Sequence, residues 1–371
     1  MTSGGDRAEV TGNKGDHTTT TDEGGQKSKE RAGDKWPPNV ILAFDKFRGT
    51  ATSTELGEAA AEVARSLGWH PIVVPMADGG EGTLDALGGA NKTTTVSGPL
   101  GEPVEAGWRL EGKVAYIEMA QASGLQIVGG AAGNDPLEAS TAGTGQLIAT
   151  AVELGAKTVY VFLGGSATTD GGLGAVRALE NIARLKEIEL IVGCDVETRF
   201  VDAAAVFGPQ KGASRAQVAF LTRRLERLVQ VYQEEFDVDV GEVPGAGAAG
   251  GLAGGLLAIG GRLQSGFDIL ADRGELDLHL DDAHLLITGE GKLDLPSFEG
   301  KAVGHLFDWC TDIGVPVEAI VGTTDDDLVV PPSYRIHALD EAYGTERAMN
   351  ETVHLVADQV RQILTRRRRR P

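Results

Sequence analysis

Along this chain, short unbroken apolar runs alternate with longer segments whose apolar residues recur at helical spacing. Val40-Ile41-Leu42-Ala43-Phe44 contains no polar residue, the mark of a strand covered on both faces. After it, Leu56, Ala60, Val63, Ala64 and Leu67 share one helical face, Thr52 and Glu55 have capping-box spacing, and Gly68 is a natural stop. His70-Pro71-Ile72-Val73-Val74-Pro75 is the next strand and closes a βαβ unit. From about Asn91 the rhythm changes. Thr93–Val96, Val104–Leu110 and Val114–Met119 predict antiparallel or mixed strands around the Glu111-Gly112 turn.

A helix over Thr144–Leu154 leads to a buried strand, Val159–Leu163, and a loop of glycines and hydroxyls, Gly164-Gly165-Ser166-Ala167-Thr168-Thr169-Asp170-Gly171-Gly172, before a short helix at Leu173–Leu179. Ile188–Val192 predicts a strand ending at Cys194-Asp195, and Ser214 caps a helix reaching about Phe236. A run of very small residues, Pro244–Gly251, opens another helix. Leu285–Thr288 is then a strand with Gly289-Glu290-Gly291-Lys292-Leu293-Asp294 as the loop at its mouth. Lys301–Asp312 predicts a helix, Val317–Val321 and Tyr334–Ala338 strands, and Glu346–Thr365 a last helix with Val353, Val356, Val360 and Leu364 on one face.

These elements predict an α/β protein: a discontinuous doubly wound domain over 37–90 and 282–365, with a second α/β domain of mixed sheet over 91–281 inserted into it. Residues 1–36 are polar and almost free of large apolar side chains, a composition that predicts disorder. Arg366–Arg370 predict a solvated, frayed basic tail over 366–371.

Composition narrows the function. A formal net charge of −20 over 371 residues argues against nucleic-acid or anionic-membrane partners. The two cysteines, Cys194 and Cys310, lack CxxC spacing, and neither a membrane-length apolar run nor a signal peptide is visible, so a cytoplasmic location is expected. The sequence carries no signal for oligomeric state. The 52 glycines cluster at strand ends, as in loops that approach a ligand closely.

In open α/β sheets, ligands bind beyond the carboxyl ends of the strands. The loops expected there hold Asp45, Lys46 and Arg48; Asp78, Gly79, Gly80, Glu81, Gly82 and Thr83; Gly164, Gly165, Ser166 and Asp170; Asp195; and Gly289, Glu290, Lys292 and Asp294. Glycine N–H groups and cations offset phosphate charge, while carboxylates hold Mg2+ or take a hydroxyl proton, so the mixture suits phosphoryl transfer. Asp170 can hold a metal or a substrate hydroxyl, or cap the helix after it. Asp195 is a site carboxylate or a turn residue. Asp294 acts with Glu290 on a metal or hydroxyl, or caps the turn before Pro296, and Arg48 and Lys292 face the anionic groups. No histidine lies in these loops and no G-x-S-x-G elbow appears, which leaves no hydrolase triad or zinc cluster. A GxGxxG fingerprint is absent after the first strand, against a Rossmann oxidoreductase.

Met76–Thr83, Gly164–Thr168 with Asp170-Gly171-Gly172, Val206–Ala213, Pro244–Gly251, Ile287–Gly291, Met119–Leu125 and Ser140–Gly145 together resemble, in order, the bacterial glycerate kinase family of the first type. The resemblance covers nearly everything from Val40 to about Val321. It implies ATP-dependent phosphorylation of a D-glycerate hydroxyl with Mg2+, on a flavodoxin-like domain interrupted by an inserted α/β domain. By position at the strand mouths, catalytic roles are expected for Asp45, Arg48, Asp195 and Asp294, and metal ligation by Glu290 and Asp294. The chain departs from the family's pattern at Arg48 (commonly Lys), Thr169 (usually Asn), Pro296 (a Gln position), after Asp195, and in a shortened segment between Leu179 and Ile188. A non-catalytic or altered-substrate ligand-binding relative is the alternative that these departures raise.

Overall fold

The apolar runs pair into two sheets. The computed structural model describes residues 37–180, 183–298, 302–325, 327–331 and 333–368. The disorder expected for 1–36 and the last three residues of the expected tail lie outside them. The strands are β1 (Asn39–Phe44), β2 (His70–Val73), β3 (Lys92–Ser97), β4 (Pro103–Glu111), β5 (Val114–Glu118), β6 (Thr158–Phe162), β7 (Glu189–Gly193), β8 (Arg262–Gln264), β9 (Ala283–Leu293), β10 (Val317–Thr324) and β11 (Arg335–Ala338). One sheet is ordered β11-β10-β9-β1-β2, and the other β3-β4-β5-β6-β7-β8.

Every pairing in the five-stranded sheet is parallel. The unbroken apolar run of β1 follows from its position. Val40, Leu42 and Phe44 pack with Leu56, Ala60, Val360 and Ile363, while Ile41 and Ala43 point the other way, onto Met76, Phe267, Leu270 and Leu306. Helices Ser53–Ser66 and Thr352–Arg368 supply the first layer, and Gly266–Arg273 and Ala302–Ile313 the second. With both faces covered, a polar residue in β1 would be buried without a partner. The capping box at Thr52 and Glu55 is present, each side chain accepting from the other's backbone N–H.

The six-stranded sheet is mixed, as the change of rhythm near Asn91 predicts. β3–β4 and β4–β5 are antiparallel, and β5 through β8 run parallel. Helices Ala142–Glu153 and Ala248–Ala258 cover one face through Leu147, Ile148, Leu252 and Leu256. Tyr116 and Tyr160 stack on the other at 5.3 Å.

Three expectations change. The stretch from Gly289 to Leu293 is strand rather than loop, because Lys292 and Leu293 continue in register with Thr323 and Thr324 of β10. The last helical segment breaks at Glu351 into Thr345–Asn350 and Thr352–Arg368. Arg366, Arg367 and Arg368 complete the second of these helices instead of trailing as a tail, and the first two pair with buried Glu318 on β10. Among the described residues, no helix is long and apolar enough to cross a membrane.

Candidate active site

Beyond the carboxyl end of β1 the chain turns sharply. Phe47 N–H donates to the Ala51 carbonyl at 2.9 Å, and the Phe47 ring is buried beneath the turn. That anchor leaves Lys46 half-buried and Arg48 exposed. Asp45 is tied to the next strand, its N–H donating to the Gly289 carbonyl at 2.9 Å, and its Oδ1 accepts from Lys46 N–H at 2.6 Å. The Lys46 ammonium stands 3.8 Å from Asp45 Oδ1 and 3.8 Å from Asp78 Oδ1, bridging the ends of β1 and β2. Asp78 in turn accepts from Gly80 N–H at 3.1 Å, and Thr83 closes the loop by donating to the Gly80 carbonyl.

Glycine allows loops from the two sheets to meet backbone to backbone. A Cβ on Gly164 would lie 2.5 Å from Gly80 Cα, and one on Gly79 would lie 2.9 Å from Gly266 Cα. No side chain fits either contact. The ends of β2, β6 and the Ser265-capped helix are thereby held together, and two cavities open beside them. One, of about 630 Å³, is walled by Arg48, Glu81, Asp85, Glu118 and Gln121. The other, of about 600 Å³, is walled by Asp45, Asp78, Glu290, Lys292, Asp294 and Met349. Lys46, Phe47, Arg48 and Thr50 line both. The β1 turn is therefore the wall that the two cavities share.

The remaining candidates divide. Gly82 joins Glu81 in the first cavity, whereas Gly289 lies within β9, covered by the Ile320 carbonyl. Lys292 lines the second cavity, is exposed, and is paired with Asp325 at 2.6 Å. Asp294 Oδ1 accepts from both Ser297 N–H at 3.1 Å and Ser297 Oγ at 2.9 Å, which caps the turn after β9. Its cap and its place in the cavity wall coexist.

The loop after β6 is mainly structural. Asp170 is buried and accepts from Thr141 N–H, Thr141 Oγ, Gly172 N–H and Gly174 N–H, all within 3.2 Å. Three of these donors meet Oδ2 and one meets Oδ1, and the Gly172 and Gly174 N–H groups tie Asp170 to the start of the helix after it. Ser166 is buried too, and neither residue lines either cavity; Gly164 and Gly165 of this loop lie beside Gly80 and Glu81. Asp195 also lines neither cavity. It sits behind Asp78, its Oδ1 accepting from Gly266 N–H at 2.9 Å. Burial, reinforced by the charge of Asp78, raises its carboxyl to about 6 against hydrogen bonds that lower it.

Three residues escaped the sequence reading. Glu118 ends β5, buried in the wall of the first cavity, with Oε1 accepting from Leu84 N–H at 2.7 Å. Burial raises its pKa above the ordinary range, opposed by that bond. A carboxylate closing an apolar strand at its carboxyl end was the available signal. Lys211 and Asn134 brace the loop after β6 from below. Lys211, 2% exposed, donates to the Thr168 carbonyl at 2.6 Å, and Asn134 Nδ2 donates to the Ala167 and Lys211 carbonyls. Burial pulls the Lys211 ammonium down to about 7, although nearby Asp170 favours the charge. Its position inside the Val206–Ala213 motif was the signal.

Among the described residues no three His, Cys, Asp or Glu side chains group closely enough to cage a metal ion. Asp45, Asp78, Glu290 and Asp294 nevertheless give one cavity an all-oxygen donor set. That suits Mg2+, which keeps several waters and uses one or two carboxylates with substrate phosphates.

Comparison with known proteins places the chain among its relatives. The model of the glycerate kinase family matches residues 40–183 and 180–368. A glycerate 2-kinase of Escherichia coli (strain K12) is 37% identical over 340 residues, spanning 81% of this chain and 89% of that one. A glycerate kinase of Halalkalibacterium halodurans is 37% identical over 324 residues, spanning 76% and 85%. A crystal structure of a candidate glycerate kinase 2 from Salmonella typhimurium LT2 superposes with a TM-score of 0.74 at 30% identity, covering 89% of this chain and 98% of that one. The fold is thus mixed α/β with two sheets, as in that structure. The chain belongs to the glycerate kinase family.

Proposed function

We propose that the protein transfers the γ-phosphoryl group of ATP to a hydroxyl of D-glycerate, with Mg2+ as the metal. The observation that carries this reading is the β1 turn, which sets Lys46 and Arg48 on the shared wall of two cavities. Phosphoryl transfer needs that arrangement, with donor and acceptor separated by a cation where they meet. The name of the Escherichia coli relative specifies a 2-kinase, which favours the 2-hydroxyl as acceptor.

In this reading glycerate occupies the cavity with Glu118 and Gln121, and Arg48 takes its carboxylate with two parallel hydrogen bonds. The nucleotide lies in the cavity with Met349, its phosphates toward Lys46. The backbone N–H groups of Gly79–Gly82 and Gly164–Gly165 border the transferring group. Glu290 and Asp294 would hold Mg2+. The bound ion would neutralise charge on the phosphate oxygens. The acceptor hydroxyl loses its proton to a cleft carboxylate as its oxygen bonds to phosphorus and the bond to the ADP oxygen breaks. Asp45, whose Oδ1 lies 3.8 Å from the Lys46 ammonium, is the carboxylate assigned to that step.

A flavodoxin-like assignment for 37–90 with 282–365 is supported by strand order. Counted within its own sheet, β2-β1-β9-β10-β11 is the 2-1-3-4-5 order of that fold, whose ligands bind where β1 and the third strand diverge. Asp45 and Glu290 flank that point. Separate sheets for β3 through β8 support 91–281 as the inserted domain. The free thiols Cys194 and Cys310 are in keeping with a cytoplasmic setting.

Purified protein incubated with ATP, Mg2+ and D-glycerate should release ADP only when all three are present, and chelation by EDTA should stop it. ADP release at background level, with an established glycerate kinase active alongside, sinks the proposal.

A further inference from the structure

The five-stranded sheet carries a second cluster of cations at its opposite end. A cavity of about 270 Å³ is lined by Trp69, His284, Arg335, Arg366 and Arg367. Trp69 immediately precedes β2, His284 is the second residue of β9, and Arg335 is the first of β11. The cavity therefore opens where the parallel strands begin, whereas the cleft lies where they end. Glu290 lies six positions beyond His284 along β9, about 20 Å at roughly 3.3 Å per residue.

Among the described residues that line it, none is acidic. The carboxylate beneath them, Glu318 on β10, is 0% exposed and already committed. Its Oε2 accepts from Arg366 at 3.0 Å and lies 2.9 Å from His337 Nε2, and its Oε1 accepts from Arg367 Nε at 3.1 Å and Nη2 at 2.9 Å. Arg335 approaches it only to 3.8 Å, beyond hydrogen-bond length, and is 51% exposed. Three guanidinium groups thus share one carboxylate, and two positive charges are left over at one spot of a chain whose net charge is −20. Trp69, 7% exposed, adds an indole N–H that is buried with no acceptor. His284 accepts from Asn39 N–H through Nδ1 at 3.2 Å. Donors dominate this cavity wall.

We infer that this cavity is a binding site for a small phosphate-bearing anion, separate from the cleft. Planar guanidinium forks match phosphate oxygens two at a time, and a doubly charged group balances the excess. The volume falls just below the ~300–1,000 Å³ of sites that take drug-sized ligands, so it suits phosphate or a phosphorylated three-carbon acid and excludes a nucleotide. Glu318 keeps Arg366 and Arg367 in place, so the site is organised before the anion arrives. Arg335, not hydrogen-bonded to Glu318, is the group most available to it.

Full-length protein titrated calorimetrically at low ionic strength with inorganic phosphate, and separately with phosphoglycerate, tests this directly. At least one of the two should bind at a site that Arg335→Gln weakens about tenfold or more, the scale of a lost charge-assisted contact, and that Arg48→Gln leaves intact. Equal affinity for both marks the phosphate group alone as the determinant; tighter binding of phosphoglycerate marks its carboxylate as read too. No Arg335-sensitive binding by either anion, or loss with Arg48→Gln alone, overturns the inference. Tungstate diffused into wild-type crystals provides a test without any variant. An anomalous peak beside Arg335 and Arg366 is expected, and a peak only in the cleft, or none, contradicts the assignment.

Discussion

Asp195→Asn isolates the electrostatics behind the cleft. Asp195 is moved from an ordinary 3.8 to about 6, chiefly because burial strips solvent from its charge and Asp78 adds repulsion. A folded-state pKa raised above the unfolded one means that the ionised group opposes folding. The stabilisation due to the protonated form is fully present below about pH 4 and is lost as pH rises through about 6. The shift of about two units corresponds to roughly 3 kcal/mol at pH 8, and partial solvation brings the expected gain on removing the charge to about 1–3 kcal/mol. Asparagine is nearly isosteric, and its Oδ1 can still accept from Gly266 N–H, so charge is the main change. Urea unfolding at pH 4, 6 and 8 is the assay. Asp195→Asn should match wild type at pH 4 and gain stability progressively toward pH 8. Because Asp195 lines neither cavity, turnover should fall less than tenfold. A variant less stable than wild type at pH 8, or one with a pH-independent offset, refutes the reasoning.

Other substitutions probe separate parts of the account. Asp294→Asn keeps an acceptor for Ser297, so the melting temperature should hold while turnover drops about a hundredfold, and near-normal turnover would reduce Asp294 to its cap. Glu318 is held at about 2: burial alone would raise it, but His337, Arg367 and Arg366 outweigh that effect. A depressed carboxyl contributes stability present above about 4.5 and lost as pH falls toward 2. Glu318→Gln should therefore cost roughly 2–3 kcal/mol at pH 7 and flatten the acid limb of the stability profile; an unchanged acid limb counts against the Arg clamp. Gly250→Ala would place a Cβ 2.0 Å from the Thr168 carbonyl at a φ of +69° and should cost about 2–5 kcal/mol by denaturant melt. Gly130→Ala, at a φ of +80° with nothing within 4 Å, should cost only about 1–2 kcal/mol, and equal costs would remove the packing argument.

The legible features were those set by local pattern. An unbroken apolar run reports burial on both faces wherever it occurs, so β1 and its neighbours followed from composition alone, as did the caps at Thr52 and Ser214. Gly289-Glu290-Gly291 reads as a loop because glycine weakens any local strand signal. The strand forms there because β10 supplies a distant edge as far as Thr324, which no local pattern records. The loop after β6 has the composition of a phosphate cradle. Its hydroxyls and Asp170 are buried against the Gly250–Gly251 turn and Lys211, partners 80 and 41 residues away from Asp170 in sequence. The arginines ending the chain resembled a tail for the same reason, since their acceptor Glu318 lies 48 residues earlier than Arg366. The cleft residues at Asp45–Arg48 and Asp78–Gly82 were found because position at a strand's carboxyl end is itself a sequence-level signal.

Phosphorus NMR of a mixture of the protein, ATP, Mg2+ and D-glycerate tests the central claim most directly, because it separates transfer from hydrolysis. The γ-phosphate resonance of ATP should decline in step with the growth of one phosphomonoester signal, split as a doublet by the single proton at C2 if the 2-hydroxyl is the acceptor. Growth of inorganic phosphate in place of the phosphomonoester, or an unchanged ATP spectrum, contradicts the account.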